Sequence, residues 1–291
     1  MRLFEFGDWS RSPRWYRVYL HRYLVLFYKW FGYYRLWVKP LSDFIRDTKA
    51  EALMEYGSGS GEPLRLIVSC LERKAYAKTR FYLSDIRPNP EWCETINGNE
   101  DRRIRYVPEP VDALADNGRY SCPKVFVNSF HHFDVAQAKQ IIRNSCKRKQ
   151  DIIVLEYVRH TLPSFVSMLV GPLTIMLTMP FVARRRDWPI MMLFTYVVPL
   201  FPLMFFWDGL VSCRRSYSLR QMQNMVEDMG LSMPISETIG RNLLYPAGVS
   251  AIAITCSEAS LGVRAGNPAY RSSLNPCACQ PETANTQPLT E

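Results

Sequence analysis

The chain has 291 residues, 47% of them apolar and 22% charged, which is enough for a sizeable core and excludes global disorder. Lys plus Arg number 36 against 27 Asp plus Glu, a net charge of +9 that suits an anionic surface, membrane or nucleic acid. Collagen-like, coiled-coil and disulfide-scaffold chains are excluded by composition.

Residues 1–50 hold ten Lys or Arg against four Asp or Glu. On a helical wheel from Arg14 to Lys39, the cationic side chains Arg14, Arg17, His21, Arg22, Lys29 and Arg35 share one arc. Tyr16, Leu20, Tyr23, Phe27, Trp30, Phe31 and Tyr34 lie opposite. Such a helix either lies in a bilayer interface, rings inward and cations on the headgroups, or caps the domain's own core. The apolar run Tyr23–Tyr28 is too short for a secretory signal.

From residue 50 to 157, strands alternate with helices, the pattern of a parallel α/β sheet. Strands are expected at Ala52–Tyr56, Thr79–Leu83, Arg103–Val107, Lys124–Asn128 and Asp151–Tyr157, with helices at Glu62–Lys74 and Asp134–Lys149. Asp134 is placed to cap the second helix.

Residues 161–213 break the alternation. Thr161–Ala183 carries no charge for 23 residues and Pro189–Trp207 none for 19, with Arg184, Arg185 and Arg186 between. Each run meets the length for spanning a bilayer, about 18–20 residues. Three arginines in hydrocarbon would each cost about 2.5–3.5 kcal/mol. The turn therefore reaches water on the far side of a membrane, or both helices lie flat with the arginines at the headgroups. A pair of buried core helices is the soluble alternative. Beyond the hairpin, Ser218–Met229 reads as a helix, and Ile235–Ile239 and Val249–Thr255 as strands. Residues 257–291 read as a disordered tail.

The eight cysteines include no Cys-x-x-Cys pair, which fits reduced thiols better than structural zinc. Cys277 and Cys279 in the tail are candidates for acylation. The histidines are His21, His131, His132 and His160, too few for an expected multi-histidine centre, and no metal site is assigned.

The strongest chemical signal is Glu55-Tyr56-Gly57-Ser58-Gly59-Ser60-Gly61, which follows a strand and opens a helix. Glycines at such a turn let a ligand approach the backbone, and the helix N-terminus offers unpaired N–H groups. Asp85, at the end of the next strand, is placed to bind two ribose hydroxyls. Leu83-Ser84-Asp85, Val111-Asp112-Ala113 and Val127-Asn128-Ser129-Phe130-His131-His132-Phe133 follow in order.

Together these segments resemble a class I S-adenosylmethionine-dependent methyltransferase across residues 50–157, and more weakly 217–256. The resemblance implies an α/β fold: a Rossmann-like seven-stranded, mostly parallel sheet with flanking helices, the last strand antiparallel. The apolar helical hairpin 161–213 would be an insertion in this domain of residues 50–256, after a basic aromatic helical region 1–49. The resemblance also implies that Gly57, Gly59 and Gly61 approach the cofactor's methionine and ribose portions, with Glu55 at the methionine end. Asp85 would take the ribose hydroxyls, Asp112 the adenine amine with Ala113 packed nearby, and Asn128 and Ser129 would flank the sulfonium. Glu62-Pro63 and Pro108-Glu109-Pro110 depart from the family pattern.

An oxygen acceptor calls for a base, and His131 or His132 is the candidate; the alternative is that Phe130 and Phe133 anchor the loop and the histidines only hydrogen-bond. Glu156 and Arg159 are placed to line the substrate side. The expected activity is methyl transfer to a lipid-like or amphipathic small molecule at a membrane, with the catalytic domain on the cytoplasmic side. The alternative is a non-catalytic membrane protein that retains the cofactor domain. Nucleic acid is disfavoured as a partner, since the positive charge gathers beside apolar segments.

Overall fold

The computed structural model describes residues 3–9, 11–72, 74–115, 120–242 and 245–257. The expected tail beyond Ser257, with Cys277 and Cys279, lies outside the described residues.

Seven strands form one sheet: β1 (Ala52–Tyr56), β2 (Arg80–Ser84), β3 (Ile104–Tyr106), β4 (Lys124–Val127), β5 (Ile152–Glu156), β6 (Ile235–Asn242) and β7 (Tyr245–Ile254). Their order is β3-β2-β1-β4-β5-β7-β6. The first five run parallel, and β7 is antiparallel to both β5 and β6. This is the Rossmann-like arrangement that the resemblance implies. The order reverses between β1 and β4, and ligands of open α/β sheets bind in the crevice outside the strand C-termini at such a point.

The helices are α1 (Arg14–Phe31), α2 (Val38–Thr48), α3 (Glu62–Ser69), α4 (Pro90–Asn97), α5 (Val135–Lys147), α6 (Leu162–Ser167), α7 (Val170–Val182), α8 (Trp188–Met192), α9 (Leu200–Arg215) and α10 (Leu219–Glu227). Strand alternation builds a core on each face of the sheet. Leu53, Phe81, Val125 and Ile153 join Leu41 of α2 and Ile67 of α3 on one face. Met54, Phe126 and Val154 join Ile141 of α5 and Met222 of α10 on the other. Asp134 caps α5 reciprocally with Gln137, as expected, and Ser218 caps α10 with Gln221. Helix α3 ends at Ser69, short of the expected Lys74, and α4, capped by Asn89, was not foreseen.

The N-terminal helix is shorter than the wheel suggests. It stops at Phe31, where Gly32 turns left-handed (φ 63°), and a 3-10 turn over Tyr33–Trp37 leads into α2. Its rings cap the protein's own core: Tyr16, Tyr19 and Tyr23 are buried against Ile175 and Met179 of α7 and Phe201 and Met204 of α9. Arg22 pairs with Glu91 at 3.3 Å, and Lys29 with Glu62 at 3.6 Å. Both cations therefore face the domain.

Among the described residues one helical stretch, Leu162–Val182, is long and apolar enough to cross a membrane. The second apolar run is broken: a π-turn over Leu193–Val197 precedes a 70° bend before α9. Pro199 accounts for the bend, because the residue before a proline is driven out of the helical region, and Val198 is extended (φ −118°, ψ 90°). The arginine turn between the runs returns to the domain. Arg184 pairs with Glu91 of α4, and Tyr19 of α1 donates to Asp187 at 2.7 Å.

Candidate active site

The glycine loop, Asp85 and the ends of β4 and β5 meet at the C-terminal edge of the sheet. Gly57, Gly59 and Gly61 all have positive φ (70°, 53° and 70°). At Gly57 the need for glycine is double, since an added Cβ would stand 2.9 Å from the Cβ of Ser129. Asp85 reaches the loop, accepting from the Gly59 N–H at 2.9 Å and, through its other oxygen, from the Arg87 N–H at 2.8 Å. An ionised carboxylate has about four acceptor sites, so two hydroxyls can still be bound.

Glu55 is the most unusual group at this edge. Its side chain is 1% exposed, and neither carboxylate oxygen has a hydrogen-bond partner. The Ser58 hydroxyl lies close but donates to the Glu55 carbonyl, at 3.4 Å. Burial pushes the Glu55 pKa up to about 8, with Ser58 opposing and the Asp85 charge adding to the rise. A buried carboxylate without donors is costly, and a cationic amine docked above β1 would satisfy it.

Asn128 and Ser129 serve the framework. Asn128, at φ 52°, donates to the Tyr28 hydroxyl of α1 at 2.8 Å and accepts from the Tyr157 N–H at 2.6 Å. Ser129 donates to the Tyr56 carbonyl at 2.8 Å, tying β4 to β1. Asp112 accepts from the N–H of Leu114 at 2.8 Å, within its own loop, and Ala113 is buried in the same core as Phe126 and Tyr56. The loop stays next to Asp85, whose carbonyl accepts from the Val111 N–H at 2.9 Å.

The two adjacent histidines have different surroundings. His131 is buried, with Nδ1 2.8 Å from Glu156 Oε2 and its backbone N–H donating to Oε1 at 3.2 Å. His132 is partly buried, with Nδ1 2.9 Å from Asp8 and 3.4 Å from Glu5. Burial lowers the His132 pKa, but the hydrogen bond it donates to Asp8 and the charges of Glu5, Asp8 and Glu156 outweigh it and raise the value to about 9. Arg215 of α9 pairs with both Glu5 (3.1 Å) and Asp8 (3.0 Å). Glu5, His131 and His132 each bring one ligating atom within 4.8 Å of the others, the spacing of a possible metal site. Arg215 and a protonated His132 already balance Glu5 and Asp8, so the cluster closes as an ion-pair network. Arg159, the other residue expected on the substrate side, donates to the Ala247 carbonyl of β7 at 3.2 Å.

A cover that no local sequence pattern announces lies over this edge. His21 of α1 lies over Gly59, where an added Cβ would be 2.8 Å from the imidazole Cε1, and the Tyr106 hydroxyl donates to the Gly59 carbonyl at 2.8 Å. Ser58 and Ser60 are buried. Residues 3–9 are pinned beside His132 by Asp208, which accepts from the N–H groups of Phe6 (2.6 Å) and Gly7 (2.9 Å). No local motif announces Glu5, Asp8, His21 or Arg215, because their partners are remote in sequence.

No protein-family model and no curated protein matches the sequence. Among solved structures the chain is similar to the plantazolicin methyltransferase BpumL in complex with SAH, at 10% identity and TM-score 0.51, covering 86% of this chain and 93% of that one. It is also similar to the pyocyanin biosynthetic protein PhzM, at 14% identity and TM-score 0.48, covering 87% and 62%. A third is the magnesium protoporphyrin IX methyltransferase ChlM from Synechocystis PCC 6803 with bound SAH, at 14% identity and TM-score 0.43, covering 75% and 81%. At these identities the likeness is one of fold.

Proposed function

We propose that the protein transfers a methyl group from S-adenosylmethionine to a hydrophobic or amphipathic small molecule at a membrane surface. The observation that carries the cofactor reading is the buried, unpartnered carboxylate of Glu55 beside a glycine cradle and Asp85. The cofactor's methionine end bears an ammonium that would complete Glu55, and its ribose diol matches Asp85. Bound, it supplies a methyl group already activated as a sulfonium. The protein's own work is to hold the acceptor in line, keep out water and receive a proton. For that proton His131 is the better placed histidine. Glu156 fixes its ring, whereas His132 is held protonated by Glu5 and Asp8.

The membrane reading rests on exposed apolar side chains of α6 and α7. Leu162 is 76% exposed, Leu177 74% and Phe181 80%, in one hairpin that carries three consecutive arginines at its turn. Large contiguous apolar exposure marks interaction sites, and an interfacial helix pairs it with headgroup-binding cations. Because the turn is tied to Glu91 and Tyr19, the hairpin suits lying along the membrane rather than crossing it. In this reading the α/β domain stays on the cytoplasmic side.

A second reading, a non-catalytic protein with a degenerate cofactor domain, draws on the imidazole over Gly59. Calorimetry separates the two. Binding of S-adenosylmethionine is expected in the wild type and at least about tenfold weaker in Asp85→Ala, which loses charge-assisted hydrogen bonds. No heat at millimolar cofactor would end the enzymatic reading, and binding without methyl transfer to any component of a lipid extract would favour the second.

A further inference from the structure

At the opposite edge of the sheet from the glycine loop, two thiols meet. Cys146 lies in the last turn of α5, and Cys256 lies two residues past the end of β7. Their sulfurs are 2.9 Å apart, although 110 positions separate them in the chain, and the Met233 sulfur is 3.4 Å from that of Cys146. Neither thiol is sealed: both are partly exposed, while Cys93, Cys122 and Cys213 are buried.

The pair is held in place from both sides. Asp151, just before β5, accepts from the N–H groups of Cys256 (2.6 Å) and Ser257 (2.8 Å) and from the Ser257 hydroxyl (2.8 Å). Cys146 sits on a helix with a complete capping box at its other end, and its carbonyl accepts from the Lys149 N–H at 3.1 Å. A disulfide needs the sulfurs to close by only about 0.9 Å from this separation, to a bond of ~2.05 Å.

We propose that Cys146 and Cys256 form a redox modification site that closes to a disulfide when a hydroperoxide oxidises Cys146. The Cys146 thiolate attacks one peroxide oxygen, the O–O bond breaks, and hydroxide (from hydrogen peroxide) or alkoxide leaves, giving a sulfenic acid. The Cys256 sulfur then attacks the Cys146 sulfur, the S–O bond breaks, and the hydroxyl leaves as water with the Cys256 proton. Two thiols and one hydrogen peroxide thus give one disulfide and two waters. Cys146 is assigned as the attacking sulfur because it is held in the last turn of α5 with the Cys256 and Met233 sulfurs 2.9 and 3.4 Å away, and hydrogen bonding within the thiol pair holds its pKa below the ordinary thiol value. The cross-link would staple the chain after β7 to α5 and leave the glycine loop untouched. The site is therefore independent of the methyl-transfer reading.

The test uses the full chain, purified reduced, treated with a small excess of hydrogen peroxide, alkylated and mapped without reduction. A Cys146–Cys256 linked peptide is expected in the major fraction, lost on dithiothreitol treatment, together with a higher thermal midpoint of the oxidised protein. In Cys256→Ser the link disappears and Cys146 is trapped by a sulfenic-acid probe. Full alkylation of both cysteines at peroxide levels that already oxidise the exposed Cys70 overturns the proposal, as does pairing of Cys146 with another cysteine. Failure here leaves cofactor calorimetry unaffected, and the converse also holds.

Discussion

Glu55 couples the candidate cofactor site to protons. With a pKa near 8 in the folded chain and about 4.3 in an unfolded one, it binds more protons when folded. Stability from this group is therefore complete below pH 4 and is lost as pH rises through 8. Glu55→Gln should flatten that fall, so the variant gains on the wild type as pH goes from 6 to 9. A cationic ligand would favour the ionised form, so binding near pH 7 should release up to about one proton. Calorimetry in buffers of different ionisation enthalpy reads that proton directly. A binding enthalpy independent of buffer would show that Glu55 does not meet the ligand's charge. At this scale chemistry and spacing in the sequence pointed to Glu55, the glycines and Asp85, and the structure places Asp85 on the Gly59 N–H at the end of β1; their cofactor roles belong to the proposal. Asn128 and Ser129 are at the right strand end, but their side chains hold strands together.

At the scale of elements, α1 acts as the cover of the crevice. Two of its side chains touch the loops there: His21 lies over Gly59, and Tyr28 accepts from Asn128. A cofactor reaching Gly59 must displace the imidazole, so part of its binding free energy goes into moving α1. His21→Ala removes the obstacle without touching Glu55 or Asp85. Faster association with S-adenosylmethionine, by about tenfold if opening limits entry, is expected in stopped-flow measurements. An unchanged association rate would place the cofactor's route elsewhere. Tyr16 and Tyr23 of the aromatic arc of α1 are buried, while Trp30 is exposed. A helical wheel does not distinguish a bilayer from the protein's own hairpin as the partner of that arc, since both are apolar.

For the whole molecule, the proposed membrane contact falls on the hairpin. Its inner side is filled by Tyr16, Tyr19, Tyr23 and Phe201, and its outer side is apolar and open. Replacing Leu177 and Phe181 together by Asp should leave the fold intact, because both side chains already face outward. It should abolish co-flotation with anionic liposomes, since each charge opposes insertion by about 2.5–3.5 kcal/mol at the depth of a bilayer centre and less at its interface. Flotation equal to wild type would reassign this face.

The positions of β1, β2, β4 and β5 and the glycine-rich turn that opens α3 were legible in the sequence, because each follows from patterns within about a dozen residues: apolar runs, turn glycines and caps. The seven-stranded, mostly parallel sheet was implied only by the family resemblance, since strand order joins segments far apart in the chain. Three features depended on chain segments far apart in sequence. Packing put α1 over the loop, turned the arginine hairpin back to Glu91, and set Cys146 against Cys256. Contacts of that range depend on which surfaces remain to be covered once the sheet has formed, and a single sequence does not display that remainder.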